Sequence, residues 1–252
     1  MPDTRGPVPA SPSREVSSSQ KGVHPRLPEL VARHQHSAWQ KPVQAVDMPA
    51  IRQLDEALDQ HTGPLLLDSF CGTGLSTRLL AAAYTDALVI GVDQSAQRLS
   101  KGGDKPDNCL LLQAHCEAIW RHLVQRRQQV VAHYLLYPNP WPKPAHLGRR
   151  LHGHPAFSLL PKLGGIMELR SNWQVYVEEC GVALHLLGMT ARICALPEQE
   201  HAQEQKHGNT LEYARDSSQG STPAFSGPTT LFERKYRSSG HRLWRLSARM
   251  RE

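Results

Sequence analysis

The sequence predicts an α/β protein with a doubly wound, mostly parallel sheet. Three observations predict it. Short apolar runs recur along the chain: "PLLLD" (64–68), "LVIGVD" (88–93), "CLLLQAH" (109–115), "VVAHYLLYP" (130–138), "GIMELRSN" (165–172) and "TARICALP" (190–197). The runs are continuously apolar, as strands covered on both faces are. Helical stretches separate them: "STRLLAAAY", "SAQRLSKG", "CEAIWRHLVQRRQ", "AFSLLPKLG" and "WQVYVEECGVALHLLG". Strand and helix in alternation make βαβ units.

Residues 1–22 precede this pattern. They are rich in Pro and Ser and almost free of large apolar residues, so a disordered tail is expected. Residues 23–62 read as a helical arm. Leu27, Leu30 and Val31 have helical spacing. Further on, Asp47 is a candidate cap, Pro49 suits a first turn, Ile51, Leu54 and Leu58 share a face, and Gly63 follows the end. Residues 63–252 hold the sheet and form one domain. Within it, 198–228 is a long polar loop. "HRLWRLSA" can make a last strand, with Leu243, Trp244 and Leu246 partly alternating with Arg242 and Arg245. Seven Lys/Arg from Arg234 onward face one acid, Glu252, which fits a solvated edge strand or an RNA-facing surface.

The 252 residues suffice for a full α/β core, and a net charge of +6 fits a polyanionic partner without requiring one. Cys71, Cys109, Cys116, Cys180 and Cys194 are odd in number and lack a CxxC pair. They read as free thiols from a reducing compartment, and a cytoplasmic location is expected. No apolar run reaches the roughly 18 residues of a membrane span. The histidines lack metal spacing, so no metal is expected. A monomer or weak homo-oligomer is expected.

The first run empties into "LLLDSFCGTGLST". Gly72 and Gly74 allow a tight turn and close backbone approach, and Asp68 stands where the strand ends. Asp93 ends the second run, where a carboxylate accepts hydrogen bonds from two ribose hydroxyls. A dinucleotide fingerprint needs a third glycine, and position 77 is Thr77. A ligand with an adenosine half and no phosphates fits better. S-adenosylmethionine (SAM) is such a ligand, with Asp68 facing its cationic methionine end.

"YPNPWPKPAHLGRR" (137–150) follows the fourth run. Its four prolines exclude a strand or helix interior and make a stiff loop. Pro138, Asn139, Pro140, Trp141, Lys143, His146, Arg149 and Arg150 resemble the Pro-Asp-Pro-Trp motif and basic residues of the tRNA (guanine-N7)-methyltransferases. So do Gly164 and Gly165, then Ser171, Asn172, Trp173 and Tyr176. So do Thr230, Phe232, Glu233, Lys235, Gly240 and "LWRL" near the C-terminus. The resemblance covers roughly residues 60 to 248. It implies a Rossmann-like class I methyltransferase sheet with an antiparallel C-terminal strand, SAM as cofactor and tRNA as partner. It also implies a guanosine site at Asn139, Asn172, Thr230 and Glu233, and RNA contacts from Lys143, Arg149 and Arg150. His115 stands in place of the acid usual after the third strand, with Glu117 nearby.

The departures fall on the chemistry. Two family carboxylates are Asn139 and Asn172 here. Guanine N7 has no proton to lose, so catalysis is mainly positioning. An Asn oxygen accepts a hydrogen bond but does not stabilise growing positive charge. Two alternatives stay open. "PNPW" is similar to the Asn-Pro-Pro-aromatic motif of amino-directed methyltransferases, which act on adenine and other exocyclic amines. A catalytically inactive RNA-binding protein of the same fold is the other. For Trp141 and Trp173, core packing is favoured over base stacking.

Overall fold

A computed structural model describes residues 12–37, 39, 41–197 and 230–250. All six expected strands form: β1 (Leu65–Ser69), β2 (Leu88–Asp93), β3 (Cys109–Gln113), β4 (Ala132–Leu136), β5 (Ile166–Ser171) and β6 (Met189–Ala195). The last is β7 (Trp244–Met250). The order across the sheet is β3-β2-β1-β4-β5-β7-β6. Strands β1 to β5 pair in parallel, and β7 runs antiparallel to both neighbours. Continuous apolarity matches the burial. Every residue of β1, β2 and β4 is buried. The order reverses between β1 and β4, where such sheets bind ligands beyond their carboxyl ends.

The helices are α1 (Leu27–His36), α2 (Met48–Gln60), α3 (Leu75–Ala83), α4 (Ala96–Leu99), α5 (Cys116–Gln125), α6 (Gln174–Leu186) and α7 (Leu231–Ser238). Leu27 and Val31 of α1 are buried against α6 and the segment after the proline loop. A fully buried leucine such as Leu27 or Leu54 stabilises by about 1.5–3 kcal/mol. The five cysteines are free thiols, and all but Cys194 are buried.

Several expectations change. "AFSLLPKLG" is not an α-helix but a 3-10 stretch, Pro155–Leu163, because Pro161 inside it has no N–H to give. The C-terminal strand is not an edge. β7 is inserted between β5 and β6, and β6 is the edge. Helix α7 was not anticipated. Asp47 precedes α2 but makes no side-chain cap. Residues 12–22 lack helix and strand yet are held to the domain at several points. The Ser13 amide donates to Ser239 Oγ (2.8 Å), and His241 Nε2 bonds the Ser13 carbonyl (2.9 Å). Ser18 Oγ donates to the Pro142 carbonyl, and Gln20 Nε2 donates to Glu179 (2.7 Å). A disordered tail is therefore not what these residues form. Residues 1–11 and the polar loop at 198–228 lie outside the described residues. Among the described residues, no helix is long and apolar enough to cross a membrane.

Candidate active site

The glycine turn between β1 and α3 depends on backbone shape. Gly72 has φ +62° and Gly74 φ +71°, conformations that L side chains rarely adopt. A Cβ on Gly74 would strike Leu111 at 2.7 Å, whereas one on Gly72 would meet nothing within 4 Å. Phe70, where the first glycine of such motifs stands, also has φ +62°. Its ring packs edge-on against Trp120, 5.9 Å between centroids.

Asp93 is buried at the end of β2. Its Oδ2 accepts from the Gly72 amide (2.9 Å) and its Oδ1 from the Ser95 amide (2.8 Å). Arg98, on α4, reaches Oδ1 at 3.1 Å from a half-exposed position. The carboxylate thus ties the glycine turn to the second strand and still borders the cavity.

Asp68 departs from expectation. It does not face the cavity but is wholly buried under the turn. Its Oδ2 accepts from Ser76 Oγ (2.6 Å) and Thr77 Oγ1 (2.7 Å), and its Oδ1 has no partner. Burial pushes its carboxyl up to about 6, despite the two hydroxyls, and nearby Asp93 pushes the same way. Asp68 anchors α3; a ligand's amine would find it out of reach. The Thr77 that removes the third glycine is itself one of those anchors.

His115 sits at the start of α5 and lines the cavity beside Ala114, Cys116 and Glu117. Asp47 positions it, accepting from both its amide (2.9 Å) and its ring Nδ1 (3.0 Å). That bond explains why Asp47 is not a helix cap. Glu117 was noted in the sequence only as a neighbour, yet it is a cavity-lining carboxylate.

After β4 the proline loop forms the facing wall. Tyr137, Pro138, Asn139, Pro140 and Trp141 all line the cavity, whose volume is about 510 Å³. Tyr137 (φ +56°) and Trp141 (φ +45°) are left-handed. Of the four non-glycine residues with positive φ among the described residues, Phe70, Tyr137 and Trp141 line this one cavity; Arg127 does not. Such strain costs about 1–3 kcal/mol per residue and clusters where function needs it. Asn139 is exposed, and its Oδ1 accepts only a long bond from the Trp141 amide (3.3 Å). Trp141 is half-buried at the cavity wall, so core packing is not its role. Trp173 is in the core, with the Arg150 guanidinium 5.0 Å from its ring.

The basic residues of this loop divide. Lys143 and Arg149 are exposed, and the Arg149 guanidinium lies 5.1 Å over the Trp141 ring. Arg150 is wholly buried, which corrects its assignment to RNA. Its guanidinium pairs with Glu179 and bonds Gln20 Oε1 (3.0 Å) and the carbonyls of Trp141 and Lys143 (3.2 and 3.3 Å). With no water around it, a buried cation needs such a set of acceptors. It holds the loop in place. Burial opposes ionisation of Glu179, yet hydrogen bonds from His152, the His24 amide and Gln20 outweigh it and hold the carboxyl down to about 2.

The remaining expected substrate residues are not brought into the cavity. Asn172, past the end of β5, donates from Nδ2 to His241 Nδ1 (3.1 Å). Thr230 Oγ1 caps α7 by accepting from the Glu233 amide (2.9 Å). The Glu233 carboxylate is buried between Arg170 Nη1 (3.0 Å) and Arg237 Nη2 (3.0 Å). Thr230 and Glu233 serve as supports here, because their polar groups are spent on protein partners, and the Asn172 amide nitrogen is tied to His241. The residues of α7 that do line the cavity are Phe232 and Tyr236. The sequence held a signal for α7: Thr and Glu three apart are the start of a capping box. Among the described residues, no group of three His, Cys, Asp or Glu could hold a metal ion.

A sheet of this order, with a glycine turn after its first strand and a carboxylate ending its second, has the fold of class I methyltransferases. Two solved structures carry the likeness: an antibiotic-related methyltransferase (TM-score 0.50, 13% identity, 86% of this chain and 98% of that one) and the aminoglycoside resistance methyltransferase NpmB1 (TM-score 0.50, 16% identity, 86% and 97%). More particularly, residues 62–246 match the model of a family described as "Putative methyltransferase", and the chain belongs to that family. Two curated relatives are named tRNA (guanine-N(7)-)-methyltransferase. One, from Nocardia farcinica, is 27% identical over 139 residues, 49% of this chain and 51% of the relative. The other, from Methylobacillus flagellatus, is 25% identical over 138 residues, 52% and 58%. The chain spans about half the length of the curated relatives it matches.

Proposed function

We propose that this chain is a SAM-dependent methyltransferase that acts on guanine N7 in tRNA. The observation that carries the reading is one cavity shared by two walls. It runs from Phe70 and Asp93 on the glycine-turn side to Asn139 and Trp141 on the proline loop. A donor half and an acceptor half thus open into one space. The names of the curated relatives support the substrate.

The donor side suits SAM. The open space above Gly72 leaves room for a ligand against the backbone. Asp93 would hold the ribose hydroxyls once the Arg98 side chain turns toward solvent, and Ala114, His115 and Glu117 would flank the adenine. When bound, SAM supplies an electrophilic methyl group. The chain's own part is to position the acceptor and exclude water, since guanine N7 attacks through a lone pair and needs no base. Asn139 Oδ1 can accept from the guanine edge, and Lys143 and Arg149 can meet phosphates. A neutral acceptor in place of a carboxylate gives up about 1–2 kcal/mol of charge-assisted bonding, which slows transfer without abolishing it.

Incubation of unmodified tRNA with labelled SAM, then nucleoside analysis, tests this. Label in 7-methylguanosine is expected. Label on an adenine amino group would replace this reading with the amino-directed one. Failure to bind SAM at millimolar concentration would leave an inactive RNA-binding fold.

A further inference from the structure

The cavity mouth is aromatic where the sequence led one to look for charge. Phe232 and Tyr236 stand four residues apart on α7 and so share one face of that helix. Their rings stack at 6.2 Å and 28° between planes. Tyr236 stacks in turn on His241, 5.2 Å and 14°, and touches Tyr137 at 5.6 Å. Phe232 is 47% exposed. Trp141 lines the same cavity, with the Arg149 guanidinium 5.1 Å over its ring and the His146 ring edge-on at 5.6 Å. Nothing about α7 is loose. Thr230 caps it, and Glu233, on its inner face, is clamped between Arg170 of β5 and Arg237.

We infer that Phe232 and Tyr236 form a stacking platform for the acceptor base, with Trp141 and Arg149 lining the same cavity. The inference rests on the methyl-acceptor reading above and deepens it. The occupant is a purine turned out of an RNA chain. A purine presents two flat faces to rings, and its neighbouring phosphates suit Arg149 and Lys143. The site holds the base by its faces more than by its edge. The carboxylate and hydroxyl once assigned to the edge, Glu233 and Thr230, are turned inward, and Asn139 alone of that group borders the cavity. The buried Arg170–Glu233 pair acts at one remove, by fixing the platform's angle.

The test is Phe232→Ala beside Phe232→Trp, with Tyr236→Phe as a ring-retaining control. Because Phe232 is exposed, its replacement should leave the melting temperature and SAM affinity unchanged. Stacking one base on a ring is worth roughly 10- to 100-fold in binding. Phe232→Ala should therefore raise the KM for tRNA and weaken tRNA binding by that factor, and Phe232→Trp should restore both. Unchanged tRNA binding by Phe232→Ala overturns the platform. The methylation reading fails separately if the wild type binds tRNA but yields no 7-methylguanosine; the binding comparison then still decides the platform. A wild type that does not bind tRNA overturns both.

Discussion

Two buried carboxylates, one on each side of the cleft, are held in opposite ways. On the donor side, Asp68 is met by two hydroxyls and no cation, and its carboxyl rises to about 6. On the acceptor side, Glu179 falls to about 2, held down by His152, the His24 amide and Gln20, with Arg150 paired against it, while Glu233 sits between two arginines. The donor side is shaped mainly by glycines and strand ends, with Arg98 paired to Asp93. The acceptor side carries a proline loop and a short helix that the sheet alone would not fix, and ion pairs fix them. A charged residue in the acceptor half is therefore as often a strut as a ligand contact.

The hardest way to break that contrast is to remove a strut. Arg150→Met leaves Glu179 buried beside its histidine without a cation. A loss of about 3–5 kcal/mol is expected, read by urea unfolding. A variant as stable as the wild type would return Arg150 to the RNA-facing set.

Acidity sharpens the contrast next, because the two carboxylates act with opposite sign. The Asp68 pKa is raised by folding from 3.8 to about 6, so its stabilising contribution is complete below about 4 and is lost as pH rises through 6. That change is worth on the order of 3 kcal/mol. The Glu179 pKa is depressed from 4.5 to about 2, so its contribution is present above 4.5 and is lost as pH falls toward 2. Unfolding free energies measured from pH 3 to 8 should show Asp68→Asn flattening the decline between 4 and 6 while the acid limb stays. Glu179→Gln should alter the acid limb alone. The same limb altered in both variants would contradict the contrast.

The glycine turn comes third. Gly74→Ala forces a Cβ against Leu111 in a left-handed conformation, at about 1–3 kcal/mol. Gly72→Ala carries the backbone strain alone and should destabilise less, yet should weaken SAM binding measurably by calorimetry, since its methyl enters the open space. Equal SAM affinity in Gly72→Ala and wild type would mean that the ligand does not approach there. The smallest effect is Arg149→Ala. Stability should stay within about 0.5 kcal/mol, while tRNA affinity falls and its salt dependence shallows by about one phosphate's worth.

The sheet was legible because its strands are apolar without interruption, a pattern that survives any arrangement of the loops. Gly72, Gly74 and Asp93 were legible because strand ends and turns are local features. Arg149 and Arg150 were not separable. They are neighbours of one type, and what divides them is Glu179, 29 positions on, and Gln20, 130 positions back. Nothing local announces that convergence. Helix α7 hid for another reason. "LFERKYRS" is mostly polar, its motif was read as a ligand set, and its two cavity-facing aromatics only align once the helix is known. Residues 12–22 are anchored by hydrogen bonds of Ser13, Ser18 and Gln20, the residue types that composition assigns to disorder.

The placement of β7 has a consequence for synthesis. On the ribosome, β6 emerges with no strand to join, since its partner in the sheet is β7 and not β5. Between the addition of Ala195 and that of Trp244, the nascent polypeptide carries an open β5 margin and an unmatched β6. Bare strand margins invite pairing with other chains. Translation halted in that interval would release a product with two such margins, prone to clump however sound its donor half.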